Sequence, residues 1–205
     1  MSLKGQKTTA DFMEWNEFST LLLKLQKDKE FKFCLLIAIG SSLGLRIADI
    51  LNFKWQDLFD KTEPELKVKT TILVIEKKTG KELNIKVTDD IKNIIKKCFL
   101  KLSPNKKDYI FTSQANEVLS VQYVNQKLKS IKNKYHLSLE RFSSHTFRKT
   151  FGRQVWKENN YSEKALILLS DLFNHASIKD TKRYLGIIEE EIPNVYESLN
   201  LKLKL

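Results

Sequence analysis

Apolar residues in this chain recur mostly three and four positions apart, and only one stretch alternates every second residue. The pattern predicts a mainly α-helical fold with a small antiparallel β-hairpin, an α+β arrangement. Thr8 and Thr9 cap a predicted helix over 11–27, with Phe12, Trp15, Leu22 and Leu25 facing inward. Residues 30–39 are apolar nearly all round, the mark of a buried central helix, which Ser41-Ser42-Leu43-Gly44 is expected to interrupt. A short helix over 46–51 puts Ile47, Ile50 and Leu51 on one face and makes Arg46 and Asp49 neighbours on another.

The period changes at 71–76, which is β-branched and apolar, and at 83–87, where Leu83, Ile85 and Val87 alternate with Asn84 and Lys86. Between them, Lys77-Lys78-Thr79-Gly80-Lys81 makes the turn of a hairpin. Helical period then returns. Thr88-Asp89-Asp90 opens a helix over 91–102, with acids at its positive end. Ser103-Pro104-Asn105 stops it, and 109–111 reads as a short extended piece. Ser120 caps a helix through about residue 135, and Ser143 or Ser144 caps another whose core stripe is Phe147, Phe151 and Val155. His145 and Arg148 lie off that stripe, about 60° apart round the helix. Ser162 caps the helix over 163–173, and Ser177 with Asp180 starts the one after it. A last amphipathic helix is expected over 187–199, with Val195, Tyr196 and Leu199 inward and a break before Pro193.

Length and composition fit one domain, 1–205, with a leader over 1–10 and a C-terminal helix and tail over 187–205. Met1-Ser2-Leu3 is set aside as a candidate expression remnant. Charge sharpens the picture: 36 Lys+Arg against 25 Asp+Glu leave a net +11, the electrostatic footprint of a nucleic-acid binder. An anionic membrane surface attracts the same charge, but no apolar run approaches the ~20 residues of a membrane span. Cys34 and Cys98 stand singly among apolar residues, which suits a reducing cytoplasm and offers neither a disulfide framework nor a metal site.

The candidate chemistry falls on basic residues off the apolar faces: Arg46, Lys78, His145 with Arg148, and His175. Tyr184 follows His175 by nine residues, beside Lys179, Lys182 and Arg183. Cations favour a phenolate and attract the phosphate it would attack. Taken singly, each feature has a plain structural reading. Arg46 and Asp49 could be a surface ion pair worth ~0–1 kcal/mol, the hairpin lysines a solvated loop, and Tyr184 a half-buried aromatic.

In order, the runs GLRIAD, KKTGK, HTFR, FNHAS and TKRYLG resemble the tyrosine recombinase (phage integrase) family over the whole chain. The resemblance implies a recombinase catalytic-domain fold acting on double-stranded DNA, with no cofactor and no metal. It implies that Arg46 and Arg148 grip the phosphate oxygens, with Asp49 orienting Arg46. Tyr184 would be the nucleophile forming a 3′-phosphotyrosyl link, Lys78 the acid for the departing 5′ oxygen, His145 a general acid/base and His175 a phosphate hydrogen-bond donor. Lys77, Lys81, Lys149, Arg153, Lys182 and Arg183 are the expected DNA contacts, and self-association on DNA through the C-terminal helix is expected. Two departures stand out: Asn174 replaces the family's usual glycine before the second histidine, and the family's N-terminal DNA-clamping domain is expected to be absent. Type IB topoisomerases share the attack but religate the same strand. A non-catalytic DNA-binding module with this fold, or a binder of anionic surfaces, are the remaining alternatives.

Overall fold

The computed structural model describes residues 11–60 and 66–188. It is mainly helical with one two-stranded antiparallel sheet. Two compact units divide it, 1–151 and 152–205, and the boundary falls inside α7 (Ser144–Glu158).

The first unit is built on α2 (Phe31–Leu43), which is buried on all sides, as its sequence requires. It packs against α1 (Trp15–Lys27) and α5 (Asp89–Leu102). It also runs four residues past the expected end at residue 39. Two serines in a helix cost roughly 0.5 kcal/mol each, whereas burying Leu43 returns about 1.5–3 kcal/mol, so the helix continues. Gly44, at φ +64°, ends it, because the left-handed turn there is open to glycine at little cost.

Helix α1 starts at Trp15, four residues later than predicted, with Glu14 as its cap; Thr8 and Thr9 lie outside the described residues. The segment before it is claimed by distant partners. Met13 donates its N–H to Thr150 Oγ1 at 2.8 Å, and Asp11 Oδ2 accepts from the Arg141 N–H at 2.9 Å. Its inward face is Phe18, Leu21, Leu22 and Leu25, while Phe12 and Trp15 are only half-buried.

Short α3 (Ile47–Ile50) has Arg46 as its N-cap. After it comes α4 (Trp55–Leu58), which periodicity did not predict because a single turn shows no period. The hairpin is β1 (Thr71–Ile75) and β2 (Glu82–Lys86), in register Thr71↔Lys86 through Ile75↔Glu82. The piece expected to be extended near 109–111 appears as isolated bridges, Lys54↔Tyr109 and Thr112↔Val118, rather than a strand. Helix α6 (Val121–Tyr135) begins at Ser120, whose hydroxyl accepts from the Tyr123 N–H, as predicted.

The second unit holds the end of α7, α8 (Glu163–Phe173) and α9 (Ile178–Leu185). Ser162 and Ser177 cap α8 and α9 through the N–H groups of Ala165 and Asp180. Helix α8 is more amphipathic than its composition suggested: Ala165, Leu166, Leu169 and Phe173 are buried, while Ile167 and Leu168 face solvent. The expected core stripe of α7 holds at Phe147 but not at Phe151 and Val155, which are half-buried. The predicted Val195, Tyr196, Leu199 and Pro193 helix lies outside the described residues. Among the described residues no helix is long and apolar enough to cross a membrane.

Candidate active site

In the first unit, Arg46 at the head of α3 and Arg148 on α7 both bring their charge to bear on Glu76, at the end of β1. Arg148 is buried on α7, and its Nη1 donates to the Gly44 carbonyl at 2.6 Å, two residues before Arg46. Gly44 also gives close passage to Phe151: a Cβ there would stand 2.5 Å from the ring. The glycine therefore brings the start of α3 and the α7 arginine to the same place.

The carboxylate on Arg46 is Glu76, not the predicted Asp49. Glu76 Oε1 accepts from Arg46 Nη1. Asp49 instead accepts the Lys77 N–H on Oδ1 at 2.9 Å, and its Oδ2 is buried without a partner among the described residues. The physical reason is length: Arg46 caps α3 with an extended backbone, which aims its long side chain away from its own helix and toward the hairpin. Burial pushes the Glu76 carboxyl up, but hydrogen bonds from Thr79 and Arg46, and the charges of Arg46 and Arg148, outweigh it. The group is held below the usual carboxylate range. Sequence reasoning missed Glu76, although a signal was present. The β1 alternation that buries Ile72 and Val74 continues to Glu76, and a carboxylate in an apolar register position requires a cation.

The hairpin turn is closed by the Gly80 N–H donating to the Glu76 carbonyl at 2.8 Å. Lys77, Lys78 and Lys81 are all exposed there, with Lys78 at the tip. His145 opens α7 with an exposed edge, and its pKa is lowered by desolvation and then by the nearby charges of Lys149 and Arg148. A neutral imidazole at neutral pH is able to accept a proton. Lys149, predicted as a DNA contact, is 9% exposed; the structure places it in the interior, because α7 is buried all round over residues 146–150.

The second unit holds His175 and Tyr184. Asn174 caps α8 in the left-handed conformation at φ +52°, the backbone role the missing glycine would fill, and asparagine tolerates it. That turn sets His175 against α9, where its Nδ1 lies 2.9 Å from Thr181 Oγ1. Phe173, His175 and Tyr184 form a three-ring cluster: Tyr184 meets Phe173 edge-on at 5.7 Å and His175 at 5.3 Å. Tyr184 is thereby held two turns into α9, half-buried, as the Ser177 cap predicted. Lys182 is half-buried, and Arg183 is exposed in a loose pair with Asp180 at 3.7 Å. Arg153 lies over the Trp156 ring at 5.8 Å. Among the described residues no group of three or more His, Cys, Asp or Glu is arranged to hold a metal ion.

Residues 11–191 match the family model described as the phage integrase family. A probable integrase/recombinase, YoeC of Bacillus subtilis (strain 168), is 28% identical over 178 residues, covering 84% of this chain and 86% of that protein. A probable integrase/recombinase of Acholeplasma phage L2 is 29% identical over 157 residues, 77% of this chain and 50% of that protein. Among solved structures, XerH site-specific recombinase bound to palindromic difH substrate superposes with a TM-score of 0.66 at 19% identity. The match covers 95% of this chain and 55% of XerH, so the chain spans about half of that relative. A lambda integrase dimer bound to a COC′ core site gives 0.60 at 19% identity, over 87% of this chain and 60% of that one. At such identities the two structures speak for the fold.

Proposed function

Because the chain belongs to the phage integrase family, tyrosine recombinases that cleave and rejoin DNA, we propose that it is a site-specific recombinase catalytic domain using Tyr184 as nucleophile. The observation that carries this reading is the braced arginine pair. Arg46 is held by Glu76 and Arg148 by the Gly44 carbonyl, so two guanidiniums are fixed before any DNA arrives. Attack on a phosphodiester builds charge on its non-bridging oxygens, which preorganised guanidiniums stabilise.

In this reading the Tyr184 oxygen loses its proton to general-base catalysis, the role given to His145, and attacks phosphorus. The bond to the 5′ oxygen breaks, and Lys78 donates the proton that oxygen takes up. The product is a 3′-phosphotyrosyl link and a free 5′-OH, with His175 hydrogen-bonding the phosphate. Attack by another strand's 5′-OH reverses the step and completes strand exchange; no cofactor is consumed. Lys77, Lys81, Arg153, Lys182 and Arg183 add charge toward duplex DNA, and the segment after Tyr184 is the proposed contact between protomers on DNA.

The test is incubation with a nicked suicide duplex in EDTA. A covalent protein–DNA band is expected from the wild type and not from Tyr184→Phe, which should still bind DNA. A band of equal intensity from Tyr184→Phe would remove the tyrosine from the role.

A further inference from the structure

We infer that Glu76 is a positioning residue of the cleavage reaction, its buried carboxylate tying Arg46 to the turn that carries Lys78. The inference rests on the recombinase reading above and adds a residue outside its set of reacting groups.

Both carboxylate oxygens are engaged, and on different elements. Oε1 takes Arg46 Nη1 from the head of α3, while Oε2 takes the Thr79 hydroxyl at 2.7 Å, one residue from Lys78. The backbone of Glu76 also closes the turn, accepting from the Gly80 N–H at 2.8 Å and donating to the Lys81 carbonyl at 3.0 Å. A second carboxylate runs the opposite way, since Asp49 of α3 holds the Lys77 N–H. Helix and turn are thus cross-tied on either side of Lys78. Without these ties a three-lysine turn repels itself and sits loosely on a two-stranded hairpin, which is marginal by itself.

The position is costly as mere structure. The Glu76 side chain is 0% exposed at a place where β1 otherwise buries Ile72 and Val74. A buried ion pair is weak support for stability, since apolar residues in place of both partners often serve the fold as well. What the carboxylate adds is direction: it holds one edge of the Arg46 guanidinium and one side of the Lys78 turn with the same group. The phosphate grip and the leaving-group acid are therefore placed relative to each other before DNA binds.

The experiment is single-turnover cleavage of saturating suicide duplex by the full chain, with ordinary DNA and with DNA carrying a 5′-bridging sulfur. That sulfur leaves without needing a proton, so it relieves any defect that runs through Lys78. Glu76→Gln keeps the shape and removes the charge. It should slow cleavage of ordinary DNA by about 10–100-fold, the usual size for losing an orienting partner behind a functional group, with DNA affinity unchanged. On the sulfur substrate the loss should shrink, as it should for Lys78→Ala. Thr79→Ala, at an exposed site and safe for folding, should show a smaller loss confined to ordinary DNA, and it decides the matter if Glu76→Gln does not fold. Wild-type rates in both variants, or equal losses on both substrates, overturn the role of Glu76 and leave the recombinase reading intact. No Tyr184-dependent adduct from the wild type overturns the reading itself.

Discussion

Gly152 lies on α7 where Leu185 of α9, the residue after Tyr184, comes closest. A Cβ added there would stand 2.6 Å from Leu185 Cδ2 and 3.2 Å from Phe173 Cε2 and Cζ. Carbon pairs rest at ~3.5–4.0 Å, so Gly152→Ala forces a shift of roughly 1 Å. Leu185 is 1% exposed and Phe173 fully buried, so the displaced methyl moves against packed neighbours and not into solvent. The strain therefore passes to α9 and to the Tyr184 ring seated on Phe173. Two effects on stability oppose each other. Alanine in a helix gains about 1 kcal/mol over glycine, and overpacking costs about 1–3 kcal/mol. The net loss is then roughly 0–2 kcal/mol, or about 0–8 °C in midpoint for a chain of this size. Catalysis is the sharper readout, because misplacing a reacting group by about 1 Å costs on the order of 10²-fold. Suicide-duplex cleavage should thus fall about 10²-fold in Gly152→Ala while the melting midpoint moves only a little. Adding Leu185→Ala, which removes the colliding methyls, should bring part of the rate back. A wild-type rate in Gly152→Ala would refute the claim that this close approach sets the tyrosine.

Arg148→Ala should lower cleavage by ~10²–10³, and Arg148→Lys should recover little of it, since a point charge cannot grip two oxygens; near-normal turnover in the lysine variant would contradict the role. His145 has a lowered pKa in the folded chain. The unfolded chain takes up that proton first, so the stability tied to neutral His145 is full above its ordinary value of 6.5 and drains as pH falls through the folded value. Denaturant midpoints at pH 8 and pH 5.5 should therefore fall less in His145→Gln than in wild type, and parallel falls would show that His145 is not desolvated. Deleting residues 188–205 should reduce DNA-dependent association more than DNA binding; equal assembly, seen by native gel on DNA, would assign that segment to its own domain.

Much of the candidate site was legible in local runs. The Ser177 cap and the nine-residue spacing from His175 placed Tyr184 two turns into α9, and both hold in the structure. Lys78 falls at the hairpin tip because the change from helical to alternating period marks its strands. Other expectations failed where a distant partner intervened. Asp11–Met13 left the expected helix for Arg141 and Thr150, and Asp49 bound the Lys77 N–H in place of Arg46.

By itself the amino-acid order determined most of the helices, the serine caps of α6, α8 and α9, and the places of Lys78 and Tyr184 on their elements. These depend on residues a few positions apart, whose interactions are present in any stretch of the chain. Only the tertiary structure decided which carboxylate holds Arg46. Glu76 is thirty residues from it along the chain, and the pairing exists only once the alternation of β1 has turned that side chain inward. Likewise, Gly44 shows its purpose as a passage for Phe151, and Gly152 as one for Leu185, only after the helices meet. Distant pairings depend on how buried surfaces close over one another, and periodicity carries no record of that.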